Sequence, residues 1–160
     1  MVDLKPIIAA QYRASLDMLG QAIDRCSDDL WVAARHNPPF WRIVYHTLFF
    51  TDLYLSETVS AFVPWSGHRE QFESLDPLVS IPGPPCTRAD LAAYCASLSQ
   101  GVAARVADYD LSGPSGMPWL PFTKLELQFY NTRHIHHHAG QLSIWLREES
   151  EREIDWVGSR

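Results

Sequence analysis

The segment Phe40-Trp41-Arg42-Ile43-Val44-Tyr45-His46-Thr47-Leu48-Phe49-Phe50, continued by Leu53, Tyr54, Leu55 and Val59, is apolar nearly all round a helical wheel. A helix with one apolar stripe can lie on a surface, but one that is apolar on every side must be covered from several directions. The spacing predicts a helix over about residues 39–62, with Asn37 as N-cap and proline in its first turn. Such a helix is central to a bundle, or is covered on its outer side by a partner such as a second subunit. One histidine interrupts the run. At 100° per residue His46 falls within about 60° of Ile43, Phe50, Leu53 and Glu57, so it faces the interior.

Three further amphipathic segments can supply that cover. Residues 3–26 repeat Leu4, Ile8, Tyr12, Leu16, Leu19 and Ile23 at helical spacing. Thr87-Arg88-Ala89-Asp90 opens a helix to about residue 108, with Leu91, Tyr94, Leu98, Val102 and Val106 on one side. Thr123, followed three residues later by Glu126, reads as a capping box that starts a fourth helix reaching about Arg147. No strand-like alternation and no internal repeat interrupts this pattern. The fold class expected is all-α, a four-helix bundle formed as a single domain over residues 1–160. Between the second and third helices, residues 63–85 break into Pro-Trp-Ser-Gly-His and Ile-Pro-Gly-Pro-Pro. A crossover that long departs from simple up-and-down topology, and such loops often wall a functional cavity. Residues 111–122 form a second irregular connection, whose Trp119 and Phe122 can cover a cavity mouth. A charged tail leads to Ile154-Asp155-Trp156, docked or free.

Charge and cysteine usage narrow the function classes. The net charge of −6 gives no electrostatic basis for gripping nucleic acid or an anionic membrane. No run reaches eighteen uninterrupted apolar residues, and the N-terminus lacks the basic start and apolar stretch of a signal peptide. Cys26, Cys86 and Cys95 are dispersed, odd in number and never in a CxxC pair. That usage fits a reducing cytoplasm, and it speaks against a disulfide framework, a thiolate zinc site or a cysteine nucleophile. Ser112-Gly-Pro-Ser-Gly116 reads as a flexible turn, and His36 and His68, in connections, as solvated.

The chemistry lies in four histidines within five positions of the last helix: His134, His136, His137 and His138. His134 and His138 share the apolar arc of Leu127, Trp145, Leu142, Ile135 and Leu146. His136 falls on the opposite side and His137 on a flank. Histidines at i and i+4 project side by side, close enough to share one small ion. His46 from the second helix completes a three-nitrogen set that leaves positions open for water or substrate. The metals that suit it are zinc or nickel, with iron(II) or manganese(II) as alternatives. Hydrogen-bonded core histidines and adventitious capture by the 136–138 run remain open readings of the same residues. For orienting the ligand rings, Glu57, Asn131 and Gln141 are candidates by face. His137 can serve as a hydrogen-bond donor or proton carrier beside the site, or simply as a surface residue.

His134-Ile-His-His-His138-Ala-Gly-Gln-Leu142 resembles the closing motif of the DinB/YfiT-like superfamily, a histidine, three residues, then His-x-Gly-Gln-Leu/Ile. Phe40-Trp-Arg-Ile-Val-Tyr-His46-Thr-Leu resembles that family's second helix. Length, helix order and the long second-to-third connection match as well. The resemblance implies metal ligation by His46, His134 and His138, a homodimer, and a metal-dependent transferase or isomerase using a low-molecular-weight thiol. Its partner would be a small-molecule electrophile. A non-catalytic metal-binding bundle, structural or reporting metal and stress status to a partner, is the alternative. Many relatives carry arginine before the Gly-Gln; here the residue is Ala139, which removes that side chain as an anion ligand.

Overall fold

The computed structural model describes residues 2–78 and 82–158. Ile81, at the head of one Pro/Gly tract, lies outside them. Four long helices, α1 (Leu4–Arg25), α3 (Phe40–Tyr54), α4 (Arg88–Ala107) and α5 (Lys124–Ser150), are joined by a one-turn α2 (Asp28–Trp31), and no strand occurs among the described residues. The starts of α1, α4 and α5 are set by side-chain caps: Asp3 accepts from the Lys5 amide, Thr87 from Asp90 and Thr123 from Glu126. The principal packed pairs are α1–α4, α1–α5, α3–α4 and α3–α5. Of the long helices consecutive in sequence, α3 and α4 pack together, whereas α1 with α3 and α4 with α5 are not among the principal pairs, and the topology is not simple up-and-down.

The all-round apolarity of α3 is met within the chain. Phe40, Ile43, Val44, Tyr45 and Leu48 are fully buried, and α4 and α5 take two of its sides. The crossover closes a third, where Phe72 packs edge-on against Trp41 (4.8 Å) and Tyr45 (5.6 Å) and His68 stacks on Phe49 (5.0 Å). On this side the helix needs no second subunit for cover.

Two boundaries differ from the sequence reading. Asn37 is not the cap of α3. Pro39 is, with no side-chain cap bond, and the Asn37 amide instead donates to the Pro77 carbonyl at 3.4 Å. The helix also stops at Tyr54, not near residue 62, because its end is captured by the connection between α4 and α5. The buried Lys124 ammonium donates to the carbonyls of Ser56 (3.1 Å), Glu57 (2.8 Å) and Ser115, and the Val59 amide donates to Gly116 O at 3.2 Å. Gly116 has φ +84°, and a Cβ there would meet the Glu57 oxygen at 2.0 Å, so only glycine allows this approach. Thr58 then caps a short 3₁₀ turn, Val59–Ala61, that leads the chain away. At the other end of the sequence the tail docks on α1. Asp155 pairs with Arg25 at 2.5 Å and its amide donates to Gln21 at 2.8 Å, while Trp156 stays exposed.

Candidate metal centre

Helices α3 and α5 pack so that His46, His134 and His138 converge. Their ring centroids are 5.2 Å (46–134), 5.1 Å (46–138) and 4.9 Å (134–138) apart, and one ligand nitrogen from each lies within 4.8 Å of the other two. His138 is buried, 7 % exposed; His46 and His134 are half-buried. No carboxylate or thiol joins this group among the described residues.

The other ring nitrogens fix the orientation. His46 Nδ1–H donates to the backbone carbonyl of Glu73 at 2.6 Å, and His138 Nδ1–H to Gln141 Oε1 at 3.3 Å, which leaves Nε2 of both rings free to accept a cation. His134 Nδ1 is buried with no hydrogen-bond partner. Burial lowers the pKa of all three. Neighbouring imidazoles add to the effect, and His134 is pushed down to about 3 and His138 to about 4. Three neutral, desolvated imidazoles crowded together, one with an orphaned nitrogen, form a donor set that fits a divalent ion.

The Glu73 carbonyl is itself held in place. The Tyr45 hydroxyl, buried beside His46, bonds to His68 Nδ1 at 2.8 Å and accepts from the Arg69 amide at 2.8 Å. His68 Nε2–H faces the Glu73 carboxylate at 3.2 Å. Three residues of the crossover, His68, Arg69 and Glu73, are thus clamped onto α3 at and one position from the ligand. The crossover does wall the site, through a main-chain oxygen that no pattern of residue types announces. His68 is accordingly not solvated. His36 is not either: it stacks on Trp145 (3.9 Å) and pairs with Glu149.

Of the ring-orienting candidates, Gln141 touches a ligand. Asn131 instead donates to Thr51 O at 3.1 Å, tying α5 to α3, and Glu57 is engaged through its main chain by Lys124. His136 turns toward α1, with Nε2 2.9 Å from Ser15 Oγ. His137 is exposed, its ring 4.9 Å from that of His138, at the rim of the centre. A chain of aromatic side chains extends from the centre. Phe50 lies 4.7 Å from the His46 ring, Tyr54 6.5 Å from His134, and Tyr130 5.6 Å from Tyr54. Phe122 reaches Tyr130 (5.8 Å), and Trp119 is 53 % exposed.

The family model of the DinB superfamily matches residues 11–142, a span holding every element of this centre. The chain belongs to the DinB superfamily. No curated protein and no solved structure matches it. DinB membership agrees with the helical architecture. No helix among the described residues is long and apolar enough to cross a membrane.

Proposed function

We propose that this DinB protein is a metal-dependent enzyme that brings a small thiol to a small electrophile, an S-transferase or a close chemical relative. The observation that carries the reading is the composition of the centre: three imidazoles from two helices, with no fourth protein ligand gathered beside them among the described residues. A closed four-ligand set is the mark of a structural site, whereas three ligands leave a position for an exchanging molecule. His46, His134 and His138 would hold the ion, zinc or nickel before iron(II) or manganese(II). When bound, a divalent ion with only neutral ligands supplies Lewis acidity, enough to depress the pKa of a coordinated water or thiol.

The chain's own residues do the rest. Glu73 O and Gln141 Oε1 orient two of the rings. Phe50, Tyr54, Tyr130 and Trp119 give an apolar approach that favours a hydrophobic electrophile over water. The thiol must come from solution. All three cysteines are buried, and burial pushes Cys26 and Cys95 up to about 12 and raises Cys86 as well, so none is a thiolate at neutral pH.

Elemental analysis of untagged protein tests the centre. Near-stoichiometric metal is expected in the wild type and in His136→Ala, with loss in His46→Ala, His134→Ala and His138→Ala. Metal retained after His46→Ala would rule out the cross-helix site. For the reaction, metal-loaded protein is incubated with a panel of low-molecular-weight thiols and chlorinated electrophiles. Full metal occupancy with no conjugate above the metal-free control would favour the alternative, a non-catalytic metal-binding bundle. Light scattering at micromolar concentration tests the accompanying proposal of a homodimer.

A further inference from the structure

Arg42 lies one turn before His46 on α3 and is only 2 % exposed. A buried guanidinium normally spends its five donors on carboxylates or carbonyls. Here Nε has no partner, and the guanidinium meets the chain through a long hydrogen bond, Nη2 to Asp76 O at 3.5 Å. The acid whose charge reaches it, Asp76, accepts from the Leu78 amide at 2.9 Å and makes no ion pair with Arg42 among the described residues. Asn37 donates to the adjoining Pro77 carbonyl at 3.4 Å, so the Asn37 amide and the Arg42 guanidinium converge on one dipeptide.

Both side chains line a cavity of about 360 Å³ with Val32, Pro39, Trp41 and Pro85. The same cavity adjoins the N-terminus of α3, a 15-residue helix whose first amides receive no side-chain cap. An uncapped helix N-terminus attracts negative charge. A guanidinium fork matches the geometry of a carboxylate or phosphate. A buried cation without an ion-paired anion is costly, and no described residue forms an ion pair with Arg42.

We propose that Arg42, Asn37 and the N-terminus of α3 form a binding site for a small oxyanion, the carboxylate or phosphate group of a small-molecule ligand. None of the three metal-centre histidines lines this cavity, so the site stands independently of the metal reading and is tested on metal-free protein.

The test is thermal unfolding at constant ionic strength as inorganic phosphate or acetate replaces chloride. With a dissociation constant of about 1 mM, 10 mM anion raises Tm by about 3–6 °C. A rise with phosphate alone assigns a phosphate-bearing ligand, a rise with acetate alone a carboxylate, and a rise with both an oxyanion of either kind. The Arg42→Met variant, close in volume, is expected to fold with Tm at or above the wild type in chloride and to show no anion response. A flat wild-type series, or a response kept in Arg42→Met, overturns the proposal. Should Arg42→Met not fold, the wild-type Arg42 Nε–H NMR resonance decides. It must shift on phosphate or acetate addition, and a resonance that stays in place refutes the site.

Discussion

Tyr45→Phe removes one oxygen, and the consequence should reach the metal centre without touching a ligand. That oxygen, on the fully buried Tyr45, accepts from the Arg69 amide and bonds to His68 Nδ1, both at 2.8 Å, with Arg69 and His68 themselves half-buried. Leaving a buried donor or acceptor unpaired costs about 1–3 kcal/mol. With Arg69 N–H and His68 Nδ1 both affected, a loss of about 2 kcal/mol is expected, or about 4–8 °C in Tm for a chain of this size. The same change frees the crossover segment whose Glu73 carbonyl holds His46 Nδ1 at 2.6 Å. Removing support of this kind from a ligand weakens metal affinity by about tenfold or more. Zinc affinity is measured by competition against a chromophoric chelator, and Tm on the metal-free protein. Tyr94→Phe is the control. It deletes a buried hydroxyl that donates to Asp52 at 2.7 Å, in a network contacting none of the three histidines, and should lower Tm comparably with affinity intact. If Tyr45→Phe loses stability but binds zinc as tightly as Tyr94→Phe, the clamp does not position His46.

Other substitutions test the frame and the charge state. Lys124→Met strips three carbonyls of their shared donor and should lower the midpoint of thermal unfolding by about 6–12 °C, from about 3 kcal/mol; an unchanged Tm would show that solvent satisfies them. The pKa values of His134 and His138 are depressed in the folded metal-free protein, so between about 6.5 and 4 the unfolded chain binds more protons. Stability is therefore fully present above about pH 6.5 and is lost as pH falls toward 4. The double variant His134→Leu, His138→Leu should flatten that slope in metal-free urea titrations, and an identical slope would mean the two rings are not buried together.

Much of this organisation is legible in the residues because helix periodicity is a local signal. The inward pair His134 and His138, and His46 on the one helix that is apolar all round, follow from 100° steps alone. So do the Thr87 and Thr123 starts, since a cap is written within four residues. What the pattern could not carry was tertiary. The Glu73 carbonyl is a main-chain group from an irregular segment, and any residue type offers one. The early end of α3 depends on Lys124 and Gly116, some sixty residues away, overriding continuous helical hydrophobicity. Arg42 lay in plain view as a polar residue in an apolar run. Its unspent hydrogen-bonding capacity becomes visible only when its surroundings are known.

The sealed cysteines bear on the protein's durability. A catalyst that handles alkylating molecules is exposed to suicide by its own nucleophiles, and each accessible thiolate sets a limit on how many turnovers it survives. With Cys26, Cys86 and Cys95 buried and protonated, the folded chain presents no such target. On the proposed reaction, an electrophile at the histidine centre would meet no cysteine thiolate of the folded chain, and alkylation of these thiols would wait for unfolding.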